Sequence, residues 1–542
     1  MRKYFVLLLL LALLLTLAPA ALAQDEMFEC PVAGGTLISA ITDDPVSLNG
    51  IYANDGASVS VLSFMFNPLT LGGENWGADI KGDLAESWSV SEDGLTWTFN
   101  LHQGVLFHDG EELTADDVVY TFETIQNPDN EVAPFRPRFL QNGEPIQFEA
   151  TDDYTVVATL NEPNASFFTD ISVPIVPRHV LEGQDLREGP FNRAPVGTGP
   201  FKIVEWNTGE SIVMERHEDY FKGAPCLERV IFRIVPDEQA QVNALLTGEL
   251  DFLPNVPGSA VTRFEDSEDF SVNVVEADSL FQIYFNQELE QFQDPAVRQA
   301  LMIAVDRQAV IDIVRQGFGI VHNSHFDHVV PFYEQAKQGG YDYDPERAAA
   351  MLDDLGITDS DGDGIRDVDG EPWVINLLSF AGGFRDYAEY GQVVQAYWED
   401  IGIQVELELR DLGTMVEQIY QERVYEKPYE VLTTGWATIG PEPNSYANFF
   451  VTTDELGPNI ANYRNDEVNA LFEAGRQETD FDARMAIYEE IEAILWEELP
   501  TMPLYRETRP AVIINNFVID EAVLDSSLGT NFVNPERIYL AE

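Results

Sequence analysis

Leu95-Thr96-Trp97-Thr98-Phe99-Asn100-Leu101 alternates apolar and polar side chains, the two-residue period of a half-buried strand. Downstream, Thr114-Ala115-Asp116-Asp117 precedes Val118, with a hydroxyl at the N-cap and a carboxylate three residues on, the form of a capping box at a helix start. This strand-then-helix order continues in both directions. Residues 35–40 read as a first strand and residues 154–160 as another. Gly199-Pro200 leads into a strand over 201–206 that returns over 212–215 as a hairpin, and 229–235 is a β-branched run. In the second half, Asp294-Pro295 places an N-cap before a Pro at the first helical position. Val297, Ala300, Leu301, Ala304 and Val305 then form one apolar stripe, and Gly317 is expected to end that helix. Asp344-Pro345 opens a second helix that ends at Gly356; residues 384–400 form a third, feeding a strand over 403–409. Two helices are expected between Asn465 and Glu498, and the last strands between Leu504 and Ile519. Alternation of this kind gives an α/β fold.

The first residues carry an export signal. Arg2 and Lys3 are followed by an apolar run over 5–17 and by Ala21-Leu22-Ala23, with small residues at −3 and −1 of a cleavage site after Ala23. The run is short for a ~30 Å hydrocarbon core. Residues 1–23 therefore read as a signal peptide, and the mature chain as soluble, periplasmic or extracellular. Met27-Phe28-Glu29 is too bulky and charged for lipid anchoring at Cys30. About 520 residues then remain, enough for two to four domains of ~100–200 residues. Cys30 and Cys226 are the two cysteines, most simply one disulfide in an oxidising compartment.

Asp and Glu number 94 against 30 Lys plus Arg, a formal net charge of −64. Such a surface disfavours nucleic acid and anionic lipid headgroups. It fits solubility in a salty or cation-rich exterior, with attraction of cationic ligands the weaker reading.

Several phrases recur in a fixed order: Gly34-Gly35-Thr36-Leu37; Asp44-Pro45 with Leu48-Asn49; Asp83-Leu84-Ala85-Glu86-Ser87-Trp88 with the stretch from Ser91 to Phe99; Phe107-His108-Asp109-Gly110 with Leu113 to Val118; Pro195-Val196-Gly197-Thr198-Gly199-Pro200-Phe201; Leu245-Leu246-Thr247-Gly248-Glu249-Leu250-Asp251; and Phe285-Asn286 leading to Asp306-Arg307. In this order the chain resembles the family 5 extracellular solute-binding proteins, which serve peptide, nickel, oligosaccharide and related ABC importers. The resemblance implies a two-lobed periplasmic-binding-protein-like fold. Lobe I would be discontinuous, at 32–67, 196–283 and 500–542, with an inserted subdomain at 68–195, and lobe II would span 284–499. It implies a monomer that captures a small ligand or peptide in the interlobe cleft and delivers it to ABC permease subunits, with no required cofactor. It also places the strands after Cys30 and Cys226 side by side in parallel, so that the two cysteines share one sheet edge.

The resemblance carries over site residues one by one. Asn54, Asp55 and Gly56 match a cleft-facing loop, Trp436 a cleft aromatic, and Tyr505 a cleft segment on the returning strand; Arg385 matches the cleft edge loosely. Peptide-binding members carry Asp three residues after this Trp, as partner to the peptide amine. Here that position is Ile439, with Glu442-Pro443 keeping the register. Peptides with free amino termini are then expected to bind weakly, and neutral ligands such as oligosaccharides to bind better, unless Asp55 or Glu442 reaches the pocket.

Enzyme signatures are missing: there is no Gly-x-Ser-x-Gly elbow, no phosphate loop and no His-Glu-x-x-His. A secreted carbohydrate-active hydrolase and a sensor without a transport role are the alternative readings. His108-Asp109-Gly110 reads as a turn. His322, His325 and His328 read either as a polar loop or as a transition-metal site. Asp359, Asp361 and Asp363 before Gly364 have the alternation of a Ca²⁺ loop, although the twelfth position is Gly370 and not a bidentate Glu. Structural Ca²⁺ and a solvated turn both remain open there.

Overall fold

The computed structural model describes residues 30–53, 55–71, 80–130, 132, 135–141, 143–327, 330, 332–333, 338–381, 387–411, 429–437, 442–451, 459–519 and 534–541. Its backbone is one long mixed sheet. In spatial order the strands are Phe201–Asn207, Ser211–Arg216, Arg229–Ile234, Thr36–Ile41, Phe252–Leu253, Thr501–Ile514, Phe270–Phe285, Val431–Ala437, Val374–Phe380 and Gln404–Arg410, with Gly319–Val321 pairing the Thr501–Ile514 strand off this path. Thr36–Ile41 runs parallel to Arg229–Ile234, as Val374–Phe380 does to Gln404–Arg410. The expected hairpin is present, with Phe201 opposite Arg216 and Trp206 opposite Ile212.

Two main apolar cores lie along this sheet. The first gathers Leu37, Phe64, Phe99, Phe122, Phe167 and Phe232. The second gathers Phe281, Phe285, Tyr390, Trp398, Tyr488 and Tyr505. The long strands Phe270–Phe285 and Thr501–Ile514 pair antiparallel and pass from one core to the other: Ala511 and Ile513 belong to the first, Met502 and Leu504 to the second. Their register shifts between Glu276 and Leu280 and again between Phe281 and Gln282. Such a shift bends a strand and strengthens its twist. The molecule is therefore two-lobed, with the irregularity of the shared strands where the lobes meet.

A separate four-stranded antiparallel sheet is inserted in the first half, in the order Ala85–Val90, Thr96–Leu101, Thr155–Thr159, Gln147–Asp152. Helix Ala115–Gln126 packs on it through Val118, Phe122 and Ile125. The Asp117 carboxylate accepts from the Thr114 N–H at 2.9 Å, the reciprocal half of the capping box.

The phrase around Gly197-Thr198-Gly199 has a steric cause. A Cβ on Gly197 would stand 2.0 Å from the Met65 carbonyl oxygen, and one on Gly199 2.4 Å from the Met65 carbonyl carbon. Only glycine lets the two backbones come this close. Two imidazoles pin the same turn. The Gly197 N–H donates to His108 Nδ1 at 3.2 Å, so His108 Nε2 carries the proton that reaches the Gly199 carbonyl at 3.0 Å.

One expectation is corrected. The helix opening at Pro295 ends at Ile303, not at Gly317. Asp306 starts a new helix, Arg307–Arg315, by accepting from the Ala309 N–H at 3.0 Å. A side-chain cap inside the apolar stripe splits it into two helices.

Candidate ligand cleft

The row of the sheet where the two long strands shift register runs through Trp436, Leu280 and Arg506, which are Cα partners. Strand Val431–Ala437 thus delivers the Trp436 backbone to the meeting point of the two cores. Ile439, two residues beyond the strand, lies outside the described residues, as do Asn54, Arg385 and residues 1–23, expected to be a signal peptide. Charges gather around this row. Arg506 Nη1 donates to Glu276 Oε2 at 2.7 Å, and its guanidinium lies 5.6 Å from the Tyr333 ring centre. Glu507 accepts from Arg315, from Arg509 at 3.0 Å and from Ser279 Oγ at 3.2 Å.

Tyr505, expected on the cleft wall, is fully buried. Its ring stacks on Phe281 at 4.6 Å and meets Tyr390 edge-on at 6.4 Å, so here it packs the second core. Gly56 is the exposed first residue of helix Gly56–Leu62, and Asp55 is that helix's N-cap. Asp55 Oδ1 accepts from the Ser58 N–H at 2.9 Å, and its Oδ2 accepts from Ser58 Oγ.

Glu442 is 1% exposed and takes the Arg484 guanidinium on both carboxylate oxygens. It also caps the turn Pro443–Tyr446 through the Asn444 N–H at 2.9 Å. Removing one partner of such a buried pair costs about 3–5 kcal/mol, so Glu442 is not available as a ligand anchor. The acid downstream of Trp436 that sequence reasoning held in reserve is thus committed inside the protein.

The other candidates separate clearly. Cys30 and Cys226 form a disulfide with a Cα–Cα distance of 5.4 Å, next to the parallel pair Thr36–Ile41 and Arg229–Ile234. Asp359, Asp361 and Asp363 bring carboxylate oxygens within 4.8 Å of one another on the surface. Gly364 follows with φ +96, and Asp359 accepts from the Gly362 and Gly364 N–H groups at 2.6 and 3.0 Å. Asp367 stands apart from these three and accepts from the Ser360 N–H at 2.8 Å and from its hydroxyl.

His322 and His325 do not lie in a solvated polar loop. His322 and His325 are fully buried. His322 Nε2 lies 2.8 Å from the Phe326 carbonyl, and His325 Nε2 lies 3.2 Å from that of Thr501. The Nε2 of each ring is committed to a backbone carbonyl, and His322 Nδ1 faces the Tyr333 hydroxyl at 3.3 Å, against the metal reading; His328 lies outside the described residues. No helix among the described residues is long and apolar enough to cross a membrane.

Residues 79–457 match the model of the bacterial extracellular solute-binding proteins, family 5. The chain belongs to this family. Its members bind solutes and do not transform them. Among relatives of this family 5 protein, the oligopeptide-binding protein AppA of Bacillus subtilis is 31% identical over 491 residues, covering 88% of this chain and 87% of that one. Among solved structures, the ABC transporter substrate-binding protein CtaP of Listeria monocytogenes superposes with a TM-score of 0.83 at 27% identity, over 94% of this chain and all of that one. AppA of B. subtilis in complex with a nonapeptide superposes at 0.74 with 29% identity over the same shares. The two-lobed α/β architecture is common to them.

Sequence reasoning missed the Glu442–Arg484 pair. The one signal was an arginine in the second turn of a helix, Phe481–Glu498, in a chain with few basic residues. The charges at the strand crossing carried a clearer sign: Arg506-Glu507-Thr508-Arg509 interrupts an otherwise apolar strand.

Proposed function

We propose that this exported protein captures an oligopeptide-class solute between its lobes and passes it to an ABC permease. The observation that carries this is the relation to AppA over most of both chains, 31% identical across 491 residues. The two lobes joined by paired strands give the mechanical basis, since closure about such a joint encloses a ligand without covalent chemistry.

The amine anchor is the point of difference. With Ile439 in place of an acid, Asp55 capping its helix and Glu442 holding Arg484, neither of the two acids that could replace the anchor is free for a peptide's amino terminus. The relation to an oligopeptide-binding protein replaces the weak peptide binding expected from Ile439 alone: the ligand is held along its backbone and side chains. The same observation favours a second reading, a neutral ligand such as an oligosaccharide stacked on Trp436.

Calorimetry with a di- to pentapeptide mixture, the same peptides N-acetylated, and an oligosaccharide panel separates the two. The proposal expects peptide binding in the micromolar range or tighter, with acetylation costing less than about tenfold. A loss above about a hundredfold on acetylation would show that a buried acid does hold the amine. Heat from sugars and none from peptides would overturn the peptide reading. We further infer that Asp359, Asp361 and Asp363 hold a structural Ca²⁺.

A further inference from the structure

Residues 162–170 of the inserted segment meet the second core along one short edge. Arg476, near the end of helix Asp466–Gln477, donates through Nη1 to Glu162 Oε1 at 2.9 Å. Its carbonyl accepts the Ala165 N–H at 3.1 Å. Arg484 Nη2 reaches Ser166 Oγ at 3.3 Å. A Cβ on Gly94 would lie 3.7 Å from Thr479 Cγ2, so the Gly94 turn touches the link between the two helices. Each contact crosses from one core to the other. On the second core's side the anchor is rigid: Arg484 is held by Glu442 and donates through Nε to the Gly475 carbonyl at 2.8 Å.

Asp170 ends the short helix Phe167–Asp170 at this edge and accepts from Asn164 Nδ2 at 3.2 Å. The charged groups facing it are Arg138 from its own lobe, and Glu442 and Arg484 from the other. We propose that this edge is a latch holding the lobes closed, and that Asp170 makes its strength depend on pH, with closure favoured in acid.

The physical reason is a half-buried carboxyl at this edge, bonded to Asn164 on its own side and facing charged groups of both lobes. Enclosure by protein, with the Glu442 carboxylate adding to it, pushes Asp170 up to about 7, against the opposing pull of Arg138, the Asn164 hydrogen bond and Arg484. When the lobes part, water returns, Glu442 recedes, and the group reverts toward the ordinary Asp value of ~3.9. The closed form therefore binds the proton more tightly than the open form. Closure is fully favoured below about pH 4, weakens as the pH rises through about 7, and is constant above that. The latch rests on the two-lobe closure reading and not on the identity of the ligand.

Small-angle scattering of the ligand-free full chain, between about pH 4.5 and about pH 8.5, tests this. In the wild type the closed-to-open ratio should fall by up to about tenfold per pH unit across the lower part of that range, read as a rising radius of gyration. Asp170→Asn, an uncharged isostere, should remove that component and stay compact at the alkaline end. Arg476→Glu, placed against Glu162, should open the molecule at every pH, and the double reversal Glu162→Arg with Arg476→Glu should close it again. Identical pH curves for wild type and Asp170→Asn, or an Arg476→Glu variant as compact as wild type, would overturn the latch. If Arg476→Glu lacks a cooperative thermal transition, the Asp170→Asn comparison alone decides. No ligand is present, so failure here leaves the peptide reading standing, and failure of the peptide reading leaves the latch standing.

Discussion

His108 shows how a motif that looks chemical is used for packing. Burial is the main cause that drives its ring down to about 3, with the neighbouring His217 adding to it and the Gly199 carbonyl opposing. The ring is therefore neutral in the fold, with one nitrogen accepting and the other donating across the Gly197–Gly199 turn. Its folded value lies below the unfolded value of ~6.5. The stability it contributes is whole above about pH 6.5 and is lost as the pH falls toward about 3, on the order of 5 kcal/mol in all. Denaturant titrations at pH steps through that window should show a steeper loss for wild type than for His108→Gln, whose amide can also accept and donate there. Equal slopes would place the proton uptake elsewhere. The Cys30–Cys226 bridge makes a second residue-scale prediction. It closes a loop with a sequence separation of 196 residues, worth about 5 kcal/mol in the chain-entropy model. Thiol titration of the unfolded, unreduced protein should find no free thiol, and reduction should lower the melting temperature; two free thiols would refute the pairing.

At the scale of elements, the acidic surplus has a structural use beyond solubility. Asp55, Asp237, Asp294, Asp306, Asp344 and Asp480 each cap a helix by accepting a backbone N–H. A carboxylate at a helix N-terminus satisfies an orphan donor and opposes the positive end of the dipole. These signals were legible where a proline followed the cap, as at Asp294-Pro295 and Asp344-Pro345. Asp306 was not legible, because the apolar stripe of the preceding helix runs up to it and an Asp inside a periodic stretch also reads as a solvent-facing residue. The Asp-rich turn at 359–364 belongs to this scale too. Its three carboxylates are converged by turns that leave them like-charged at close range, an arrangement a divalent cation would relieve. Chelator should lower the melting temperature, and Asp361→Ala should abolish that sensitivity; at 100 times the dissociation constant, binding adds about 2.7 kcal/mol. A melting curve unchanged by chelator would leave a solvated turn.

For the whole molecule, periodicity gave the α/β class and most element positions, while the two-lobed layout came from the ordered phrases. The reason is physical. Local patterns report which face of a strand is buried, but not which distant strand covers its edge. Phe281 pairs with Tyr505 and Ile283 with Met502 across more than two hundred residues of chain, and nothing within either strand encodes that choice. The site was less legible than the fold. Tyr505, matched to a cleft segment by position alone, sits in an aromatic stack, and Glu442, the acid that kept the register after Trp436, sits in a buried ion pair. What the fold supplies is a pair of lobes on shared strands and an edge where side chains of the two cores engage. The most direct test of the peptide reading is to purify the protein natively, release its bound ligand by denaturation and identify it by mass spectrometry. The account predicts peptide masses, of mixed sequence and released by unfolding but not by washing. Release of an oligosaccharide without peptide would contradict it.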